Sequence, residues 1–484
     1  MTAAKPLVVD LDGSLLRTDS LHESIAANLR SPGRLAGAAA RLGRGKAVFK
    51  RTLAAASPDL ANVPLNPAVV DLITERAAHG GEVIVATGAD DSIARGVAAR
   101  VPGITDLLAS DGLMNLTGTR KADALVARFG LRGFDYVGNA PVDVPIWDVA
   151  DEAYLATTRP EGLPGWAARR SFAGVLRDPR PSRMRTWTRA LRLHQSAKNL
   201  LLFLPLIAAH SFTDGALLGR AAAGFVAFTF MASAVYLLND TLDMASDRAH
   251  PRKHSRPIAA GWISPLLGLT VGAGLVVLSL VISALLGPAF LAVVLAYALL
   301  TTVYSFWLKR IAIVDIVVLA LLYMVRIVAG AVVTGIALSF WFTGVTLFVF
   351  LSLALVKRYA EAHQAREARR EISGRGYSGD DVHAILALGA SAGIASVLLL
   401  AIYIQSDAVS DLYPAPALLW LVIPAFFYWI AHLWLTAGRG EVHDDPLVFA
   451  LRDPASLISA VVMLGIFFAA SLPASAGLVN GLFP

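Results

Sequence analysis

Three aspartates stand close together at the end of a long apolar stretch. Asp240, Asp243 and Asp247 are spaced i, i+3 and i+7, and Asn239 directly precedes them. This spacing predicts that the three carboxylates share one face of a helix. Clustered carboxylates repel one another unless cations intervene, and Mg²⁺ prefers carboxylates together with the oxygens of a substrate phosphate. The segment therefore predicts a magnesium–diphosphate site, in which all four residues hold the metal and Asp240 and Asp243 are catalytic.

Basic and polar residues near the ends of the apolar stretches could bind the other anionic groups of a substrate. Arg256 follows the aspartates closely, so its guanidinium could bind the diphosphate itself. Asp315 and Arg326 are eleven residues apart, about three helical turns, so we expect them on one helical face. Ionisable residues inside a membrane span are costly and usually functional. The other candidate substrate-binding residues here are Lys198, Asn199, Tyr304, Lys309, Lys357 and Arg358.

A second pair of carboxylates follows the first apolar run of the chain. Asp10 and Asp12 stand at i and i+2 at the end of residues 7–11, which we expect to form a β-strand. Such a pair can bind Mg²⁺ and divide the cleavage of a phosphate ester, one carboxylate attacking phosphorus and the other exchanging a proton with the leaving oxygen. Because Asp and Gly are also common in ordinary turns after strands, this pair alone does not decide between the two interpretations.

Three later features favour the chemical interpretation. Residues 82–87 form a strand-like run that ends in the hydroxyl of Thr87, and Lys121 stands at the start of a helical stretch. A further strand and a polar turn that contains Asn139 and Asp143 follow. Short apolar runs that alternate with helical stretches predict a parallel sheet.

The order of these motifs resembles the haloacid dehalogenase-type phosphatases over most of residues 6–155. The resemblance implies a small helical cap within residues 18–65. It implies the following roles: Asp10 as nucleophile, Asp12 as acid/base residue, Thr87 and Lys121 as phosphate-binding residues, and Asp143, with Asp10 and Asp12, as metal ligand. One departure is Asn139, where that family usually has an acid. Asn can bind Mg²⁺ through its carbonyl oxygen but lacks the negative charge, so we expect weaker metal binding.

The distribution of charge divides the chain into two parts. Only 16% of the 484 residues are charged, against about 25% in an ordinary soluble protein. Charges are spread through residues 1–192, whereas residues 257–308 contain none. A membrane helix needs about 20 apolar residues. We predict nine spans, near residues 197–212, 218–238, 264–286, 289–308, 312–334, 339–356, 383–404, 415–436 and 456–476.

Basic residues between the predicted spans indicate an orientation. With a cytosolic N-terminus, the inner loops near residues 239–263, 309–311, 357–382 and 437–455 contain four, two, six and two Lys or Arg residues. The outer loops and the C-terminal tail contain none. Cytosolic loops carry an excess of Lys and Arg, so we predict an inner-membrane protein with a cytosolic N-terminal domain and an external C-terminus. As an alternative to substrate binding, Lys357 and Arg358 could have no role other than to set this topology.

Together these patterns predict an α/β Rossmann-like domain followed by an all-α membrane domain. We place the soluble domain at residues 1–165, a basic linker at residues 166–192 and the membrane domain at residues 193–484. Residues 169–192 hold eight arginines and one acid, so we expect this segment to contact anionic lipid headgroups. A merely solvated linker is the alternative. The chain has no cysteine, which excludes disulfides and thiolate metal sites.

The motifs of the C-terminal part resemble the UbiA-type intramembrane prenyltransferases. The aspartate motif at residues 239–247 is similar to the first motif of that superfamily, whose members have nine helices. Within the superfamily, the stretches at residues 194–199, 256–261, 304–316, 325–330 and 357–361 look like the decaprenyl-phosphate phosphoribosyltransferases. This resemblance covers most of residues 187–455. One departure is Ser196-Ala197, where a bulkier pair with an aromatic residue is usual, and it affects the packing of the substrate.

Charge favours one of two reactions that this resemblance allows. A prenyl diphosphate brings about three negative charges, whereas phosphoribosyl diphosphate with a lipid monophosphate brings about six or seven. The many cations near the cytosolic ends of the predicted spans favour the second pair. We therefore expect Mg²⁺-dependent transfer of 5-phosphoribose to a polyprenyl phosphate with release of diphosphate. The soluble domain would then remove the 5-phosphate of the product.

Two other functions stay open at this point. One is an aromatic polyprenyltransferase with a prenyl diphosphate donor. The other is a transporter or a non-catalytic membrane scaffold that the soluble domain regulates, although transporters usually bind their substrates near the bilayer midplane. The expected partners are phosphoribosyl diphosphate, a polyprenyl phosphate lipid and the membrane, with no nucleic acid. The sequence leaves the length of the lipid and the formation of homo-oligomers open.

Overall fold

The computed structural model describes residues 5–475, except for residues 42, 44–45, 55–59, 111–115, 368–375, 411, 443–444 and 474. The chain divides into two compact units. The first comprises Met1–Arg192 and Tyr236–Gly274, and the second comprises Leu193–Val235 and Leu275–Pro484. The acidic segment with the three aspartates therefore belongs to the same unit as the N-terminal domain. The predicted domain boundary after residue 165 stays a prediction.

Six parallel strands form the sheet of the first unit. They are β1 (Leu7–Val9), β2 (Val83–Asp90), β3 (Asp106–Ser110), β4 (Asp135–Gly138), β5 (Ala153–Thr157) and β6 (Gly174–Arg177), in the order β3-β2-β1-β4-β5-β6. In the centre, Val8 lies between Ile84 and Tyr136. Strands β1, β2 and β4 are buried throughout, as is typical of the central strands of a parallel sheet. The predicted α/β fold with a parallel sheet is confirmed.

In the described part of residues 1–192, eight α-helices accompany this sheet. They are α1 (Ser20–Asn28), α2 (Pro32–Ala40), α3 (Lys46–Ala54), α4 (Pro67–Ala78), α5 (Asp91–Ala98), α6 (Thr119–Phe129), α7 (Val144–Trp147) and α8 (Arg183–Ala190). Helices α1, α2 and α3 lie in the connection between β1 and β2, where the small helical cap is predicted. The carboxyl ends of β1, β2 and β4 share one edge of the sheet, where open α/β folds bind their ligands.

The rest of the chain is helical. Its α-helices are α9 (Leu204–Ala208), α10 (Gly215–Leu242), α11 (Met244–Ala249), α12 (Pro265–Leu286), α13 (Pro288–Phe306), α14 (Val314–Thr334), α15 (Phe340–Glu367), α16 (Val382–Ile404), α17 (Asp407–Ser410), α18 (Val422–Gly438), α19 (Pro446–Ala450) and α20 (Pro454–Ser471). Among the described residues, eight helical segments are long and apolar enough to cross a membrane. The predicted count of nine is therefore not confirmed.

The difference lies in the first predicted span. Leu193–Phe203 forms a 3₁₀ helix and only Leu204–Ala208 is α-helical. Pro205 lies in the first turn of α9 and lacks a backbone N–H, so the α-helical ladder cannot continue back through it. Eleven residues that rise about 2.0 Å each and five that rise about 1.5 Å each would extend about 30 Å if collinear, which is the thickness of the hydrocarbon core.

A glycine lets this 3₁₀ segment approach α14. A Cβ at Gly330 would lie 2.0 Å from the carbonyl oxygen of Leu202, so no other residue fits there without a shift of the backbone. The close approach lets Asn199 on the 3₁₀ segment accept a hydrogen bond from Arg326 Nε on α14, at 2.9 Å. The packing of the second unit thus joins two residues that the sequence analysis selected separately.

The orientation of the chain remains a prediction, and reporters can test it. We expect a reporter fused after Pro484 to lie outside and one inserted after Gly440 to lie in the cytosol, because the Lys and Arg residues lie in the loops assigned to the cytosol. This arrangement requires that residues 193–214 cross the membrane. Reporters on the opposite sides, together with a cytosolic N-terminus, would show that this segment does not cross.

Candidate functional site

The acidic segment is built around a break between two helices. Helix α10 ends at Leu242, and Asp243 is the N-cap of α11, with φ −95° and ψ 7°. Asp240, Asp243 and Asp247 were expected on one helical face, and a break between two helices divides the segment that carries them. The cause is the turn at Asp243, which the i, i+3, i+7 spacing does not reveal.

Asp240 and Asp247 nevertheless meet at one cation. Nη1 of Arg256 lies 3.2 Å from Oδ1 of Asp240 and 2.6 Å from Oδ2 of Asp247. Arg192 also forms an ion pair with Asp240, and its guanidinium lies over the ring of Tyr236. Burial raises the pKa of Asp247, and the charge of Arg256 counteracts this rise. Both aspartates are buried, so they depend on these cations.

Helix α1 and the turn that follows it contact the acidic segment in two places. Glu23 and Arg248 form two hydrogen bonds of 2.9 and 2.8 Å, and the side chains are only 2% and 4% exposed. Arg248 Nε also donates to the carbonyl oxygen of Ala259. The second contact is exposed, with Arg30 Nη2 2.9 Å from Oδ1 of Asp243. Sequence reasoning missed both partners from this surface, Glu23 and Arg30, because a single charged residue carries no signal for a distant counter-ion.

The residues of the phosphatase-like motifs lie together at the carboxyl edge of the sheet. Lys121 Nζ lies 2.6 Å from Oδ1 of Asp10 and 3.2 Å from the hydroxyl of Tyr136. That hydroxyl donates to Oδ1 of Asp143 at 2.9 Å. Burial raises the pKa of Asp10, and the charge of Lys121 opposes the rise. Asp10, Lys121, Tyr136 and Asp143 thus form one buried network.

Asp12 is held by the N-terminus of α1. The backbone N–H of Ser20 donates to Oδ1 of Asp12 at 2.7 Å, and the Ser20 hydroxyl donates to Oδ2 at 3.0 Å. Burial and the charges of Asp19 and Asp10 raise the pKa of Asp12 to about 7. A carboxyl with this pKa can be protonated near neutral pH and is suited to give a proton to a leaving oxygen.

The remaining predicted residues of this centre lie along the same edge. Thr87 is buried on β2, and its Oγ1 accepts a hydrogen bond from the N–H of Ala89 at 3.0 Å. Lys50 on α3 donates to the carbonyl oxygen of the adjacent Gly88 at 2.7 Å, a contact that sequence reasoning missed. Asn139 accepts from Ser14 Oγ at 3.3 Å, and Ser14 also donates to Asp10.

Magnesium suits the oxygen donors of both centres, although in the described part of the chain no three His, Asp or Glu side chains converge on one point. Asp240 and Asp247 provide two carboxylates, and substrate phosphate oxygens would complete such a site. Asp143 is more heavily engaged, because Oδ2 accepts from the N–H groups of Asn139 and Ala140. These bonds orient the turn, and the role of Asp143 as a ligand stays a prediction.

The second unit holds another set of predicted residues around Asp445. Lys198 Nζ lies 2.6 Å from Oδ2 of Asp445, Lys357 Nζ lies 3.6 Å from it, and the Tyr323 hydroxyl lies 2.9 Å away. Burial would raise the pKa of Asp445, but the charges of Lys357 and Lys198 hold this pKa well below its usual range. Asp445 is thus the counter-ion of two candidate phosphate-binding lysines, a role that its sequence position did not indicate.

Asp315 and Arg326 have different partners within the second unit. Asp315 forms a fully buried ion pair with Arg358, and the Tyr304 hydroxyl donates to its Oδ1 at 2.7 Å. Arg326 binds Asn199 and lies 5.1 Å from the ring centre of Tyr297. Arg358 also pairs with Glu361, while Lys309 lies half-buried in the short 3₁₀ turn Leu308–Arg310.

Comparisons with known proteins place this arrangement in a family. The sequence model of the UbiA prenyltransferase family matches residues 200–441. The chain belongs to the UbiA prenyltransferase family. It is accordingly a multi-pass membrane protein of this enzyme superfamily, and the expected relation is confirmed.

Two relatives show how far the similarity of this UbiA-family chain extends. An uncharacterized protein of Sinorhizobium fredii, y4nM, is 34% identical over 469 residues, which cover 96% of this chain and 90% of that protein. The decaprenyl-phosphate phosphoribosyltransferase of Mycolicibacterium smegmatis is 33% identical over 294 residues, which cover 58% of this chain and 91% of that protein. The predicted relation to these phosphoribosyltransferases is thus confirmed.

Solved structures resemble each part of the UbiA-family chain. One is a UbiA homolog from Archaeoglobus fulgidus bound to GPP and Mg²⁺. The matched region covers 59% of this chain and all of the homolog, with a TM-score of 0.45 and 18% identity. Another is a haloacid dehalogenase-family hydrolase from Salmonella enterica. The matched region covers 33% of this chain and 64% of the hydrolase, with a TM-score of 0.25 and 16% identity.

The Glu23–Arg248 pair generates a prediction about stability. Glu23→Gln leaves the buried guanidinium of Arg248 without its counter-ion, at a cost of about 3 kcal/mol or more. The thermal midpoint of the purified protein in detergent should fall by roughly 6–12 °C. The exposed Glu161→Gln is the control and should shift the midpoint by less than about 2 °C. If both variants melt like the wild type, the pair does not stabilise this unit.

Proposed function

We propose that this protein transfers 5-phosphoribose from phosphoribosyl diphosphate to a polyprenyl phosphate. The bond between C1 of the sugar and the diphosphate breaks, and a bond from C1 to an oxygen of the lipid phosphate forms. Diphosphate leaves with the electron pair of the broken bond. Asp240, Asp243, Asp247 and Asn239 would hold Mg²⁺, which neutralises charge on the leaving diphosphate when it is bound.

The convergence of Asp240 and Asp247 on Arg256 carries this proposal. Two buried carboxylates that meet at one cation provide the oxygen donors that Mg²⁺ takes from a protein. Arg256 would turn from the carboxylates to the diphosphate oxygens when a metal ion binds, because a guanidinium forms strong paired hydrogen bonds with phosphate. The name of the Mycolicibacterium smegmatis relative supports phosphoribose as the transferred group.

The charges of the second unit favour two anionic substrates over one. Lys198 and Lys357 both lie within ion-pair distance of Asp445, and Arg326 donates to the amide of Asn199 and to the hydroxyl of Tyr297. Several cations gathered in one unit favour anionic ligands. A prenyl diphosphate and a neutral aromatic acceptor would compensate this positive charge less fully. The aromatic prenyltransferase is therefore the less favoured alternative.

We propose that the soluble domain removes the 5-phosphate of the transferase product. Asp10 attacks phosphorus, so that a bond from phosphorus to a carboxylate oxygen forms and the bond to the ribose 5-oxygen breaks. Asp12, held by Ser20, gives its proton to that leaving oxygen, and water later releases phosphate from Asp10. Lys121 stabilises the charge that accumulates at Asp10. Any Mg²⁺ would bind at Asp10, Asp12 and Asp143.

Asp243→Ala tests the transferase. With purified protein, Mg²⁺, labelled phosphoribosyl diphosphate and polyprenyl phosphate, the label recovered in the lipid extract should fall by roughly tenfold or more, since one metal-binding acid is lost. The side chain of Asp243 is one-third exposed, so the protein should stay folded in gel filtration. Asp71→Ala, at an exposed position of α4, is the control. Near-normal labelling by Asp243→Ala would overturn the assignment.

Asp10→Asn tests the phosphatase in the same reaction mixture. The variant should still label the lipid but accumulate the 5-phosphorylated product, because an amide cannot act as the nucleophile. The wild type should release inorganic phosphate and form the dephosphorylated lipid. Asp123→Asn, on the exposed face of the helix that carries Lys121, should behave like the wild type. Identical phosphorylated lipid from wild type and Asp10→Asn, with no phosphate released, would contradict this role.

A further inference from the structure

A cavity of about 210 Å³ opens beside the phosphatase-like centre. Its walls include the turn after β1, with Gly13 and Arg17, and the end of β5, with Thr157, Thr158 and Arg159. Asn66, Asn139, Asp178 and Arg180 also contribute to its polar lining. At about 30 Å³ per water molecule in the liquid, this volume holds about seven waters, which is enough for a phosphate group and part of the molecule attached to it.

The cavity carries an excess of positive charge. The one carboxylate in its lining, Asp178, forms an ion pair with Arg17, which donates hydrogen bonds of 2.7 and 2.6 Å to it. Arg159 and Arg180 form no ion pair with another described residue. Arg159 Nη1 donates to the carbonyl oxygen of Leu163, and Arg180 donates to those of Arg17 and Trp262. Two guanidinium charges in the cavity wall therefore have only carbonyl oxygens as partners.

Arg180 is the least satisfied of these cations. Its Nε is buried and makes no hydrogen bond within the described structure. Burial lowers the pKa of Arg180, and the charge of Asp178 only partly offsets that effect. An anion in the cavity would supply negative charge close to this guanidinium. A guanidinium binds phosphate oxygens especially well, because its N–H groups match their spacing.

Two side chains link the wall of the cavity to the phosphatase-like centre by hydrogen bonds. Asn139 lines the cavity and accepts a hydrogen bond from Ser14, which also donates to Asp10. A Cβ on Gly13 would lie 2.2 Å from Nδ2 of Asn139, so glycine is required for this amide to lie against the turn. A substrate with one phosphate at Asp10 could therefore place a second anionic group in the cavity.

We propose that the cavity lined by Arg17, Arg159 and Arg180 binds a second phosphate of the phosphatase substrate. The soluble domain then selects pentose phosphates that carry phosphate groups at both ends, rather than simple phosphomonoesters. This inference rests on the proposed phosphatase function and names its substrate class. The lipid-linked phosphate of the transferase product is one such group, and a soluble pentose bisphosphate offers the same chemistry.

Binding to full-length protein in detergent tests the proposal without turnover. In an Asp10→Asn background, we expect ribose 1,5-bisphosphate to bind roughly tenfold or more tightly than ribose 5-phosphate, since the second phosphate adds charge-assisted hydrogen bonds. Adding Arg180→Gln should remove this preference and leave the affinity for ribose 5-phosphate within about twofold. Arg159→Gln is a second variant, in case Arg180→Gln alters the fold. Arg95→Gln, on the exposed face of α5, is the charge-matched control.

The outcomes separate the cavity from the phosphatase activity. Loss of the preference in Arg180→Gln or Arg159→Gln, but not in Arg95→Gln, supports the proposal. An undiminished preference in both cavity variants, or an equal loss in Arg95→Gln, overturns it. If the protein with the native Asp10 releases no phosphate from ribose 1,5-bisphosphate while the Arg180-dependent binding preference persists, the proposed phosphatase role fails and the proposed anion site is supported. If the phosphatase is active, Arg180→Gln in a protein with the native Asp10 should have a higher KM than the wild type for ribose 1,5-bisphosphate only.

Discussion

Glu23 and Arg248 need each other, because water is excluded from both side chains and neither charge has another carboxylate or guanidinium as its partner in the described structure. Their contact attaches helix α1 of the soluble part to α11, the short helix that carries Asp247. The first residue of α1, Ser20, holds Asp12 of the phosphatase-like centre. One nine-residue helix therefore contributes to the position of a carboxylate in each of two candidate active sites.

The α/β fold was predictable where the strands are buried. Strands β1, β2 and β4 are buried on both faces, and their apolar cores follow the signal of a parallel sheet. Strands β3 and β6 lie at the sheet edges and are half-buried for most of their length, so their sequences carry a weaker signal. The contact of Asp10 with Lys121 was also expected, because the order of the motifs implies it.

Contacts between distant, unremarkable residues were not predictable. Glu23 and Arg248 are 225 positions apart, and neither belongs to a motif. Asp315 was expected to share a helical face with Arg326, but its charge is met by Arg358 on a neighbouring helix. Helical spacing specifies only which side of a helix a residue occupies. The partner on that side depends on how the helices pack, and the broken first span depends on a single proline.

The buried Arg248 also limits how this gene could have been assembled. A membrane transferase without the soluble part would have no Glu23, so a guanidinium at this position would need an anion from elsewhere or would have to face water. Joining the two coding regions would therefore change which counter-ion residue 248 has. Later deletion of the soluble part would leave the guanidinium of Arg248 without a counter-ion. The two halves would be expected to change together during evolution, with substitutions at positions 23 and 248 occurring as a pair.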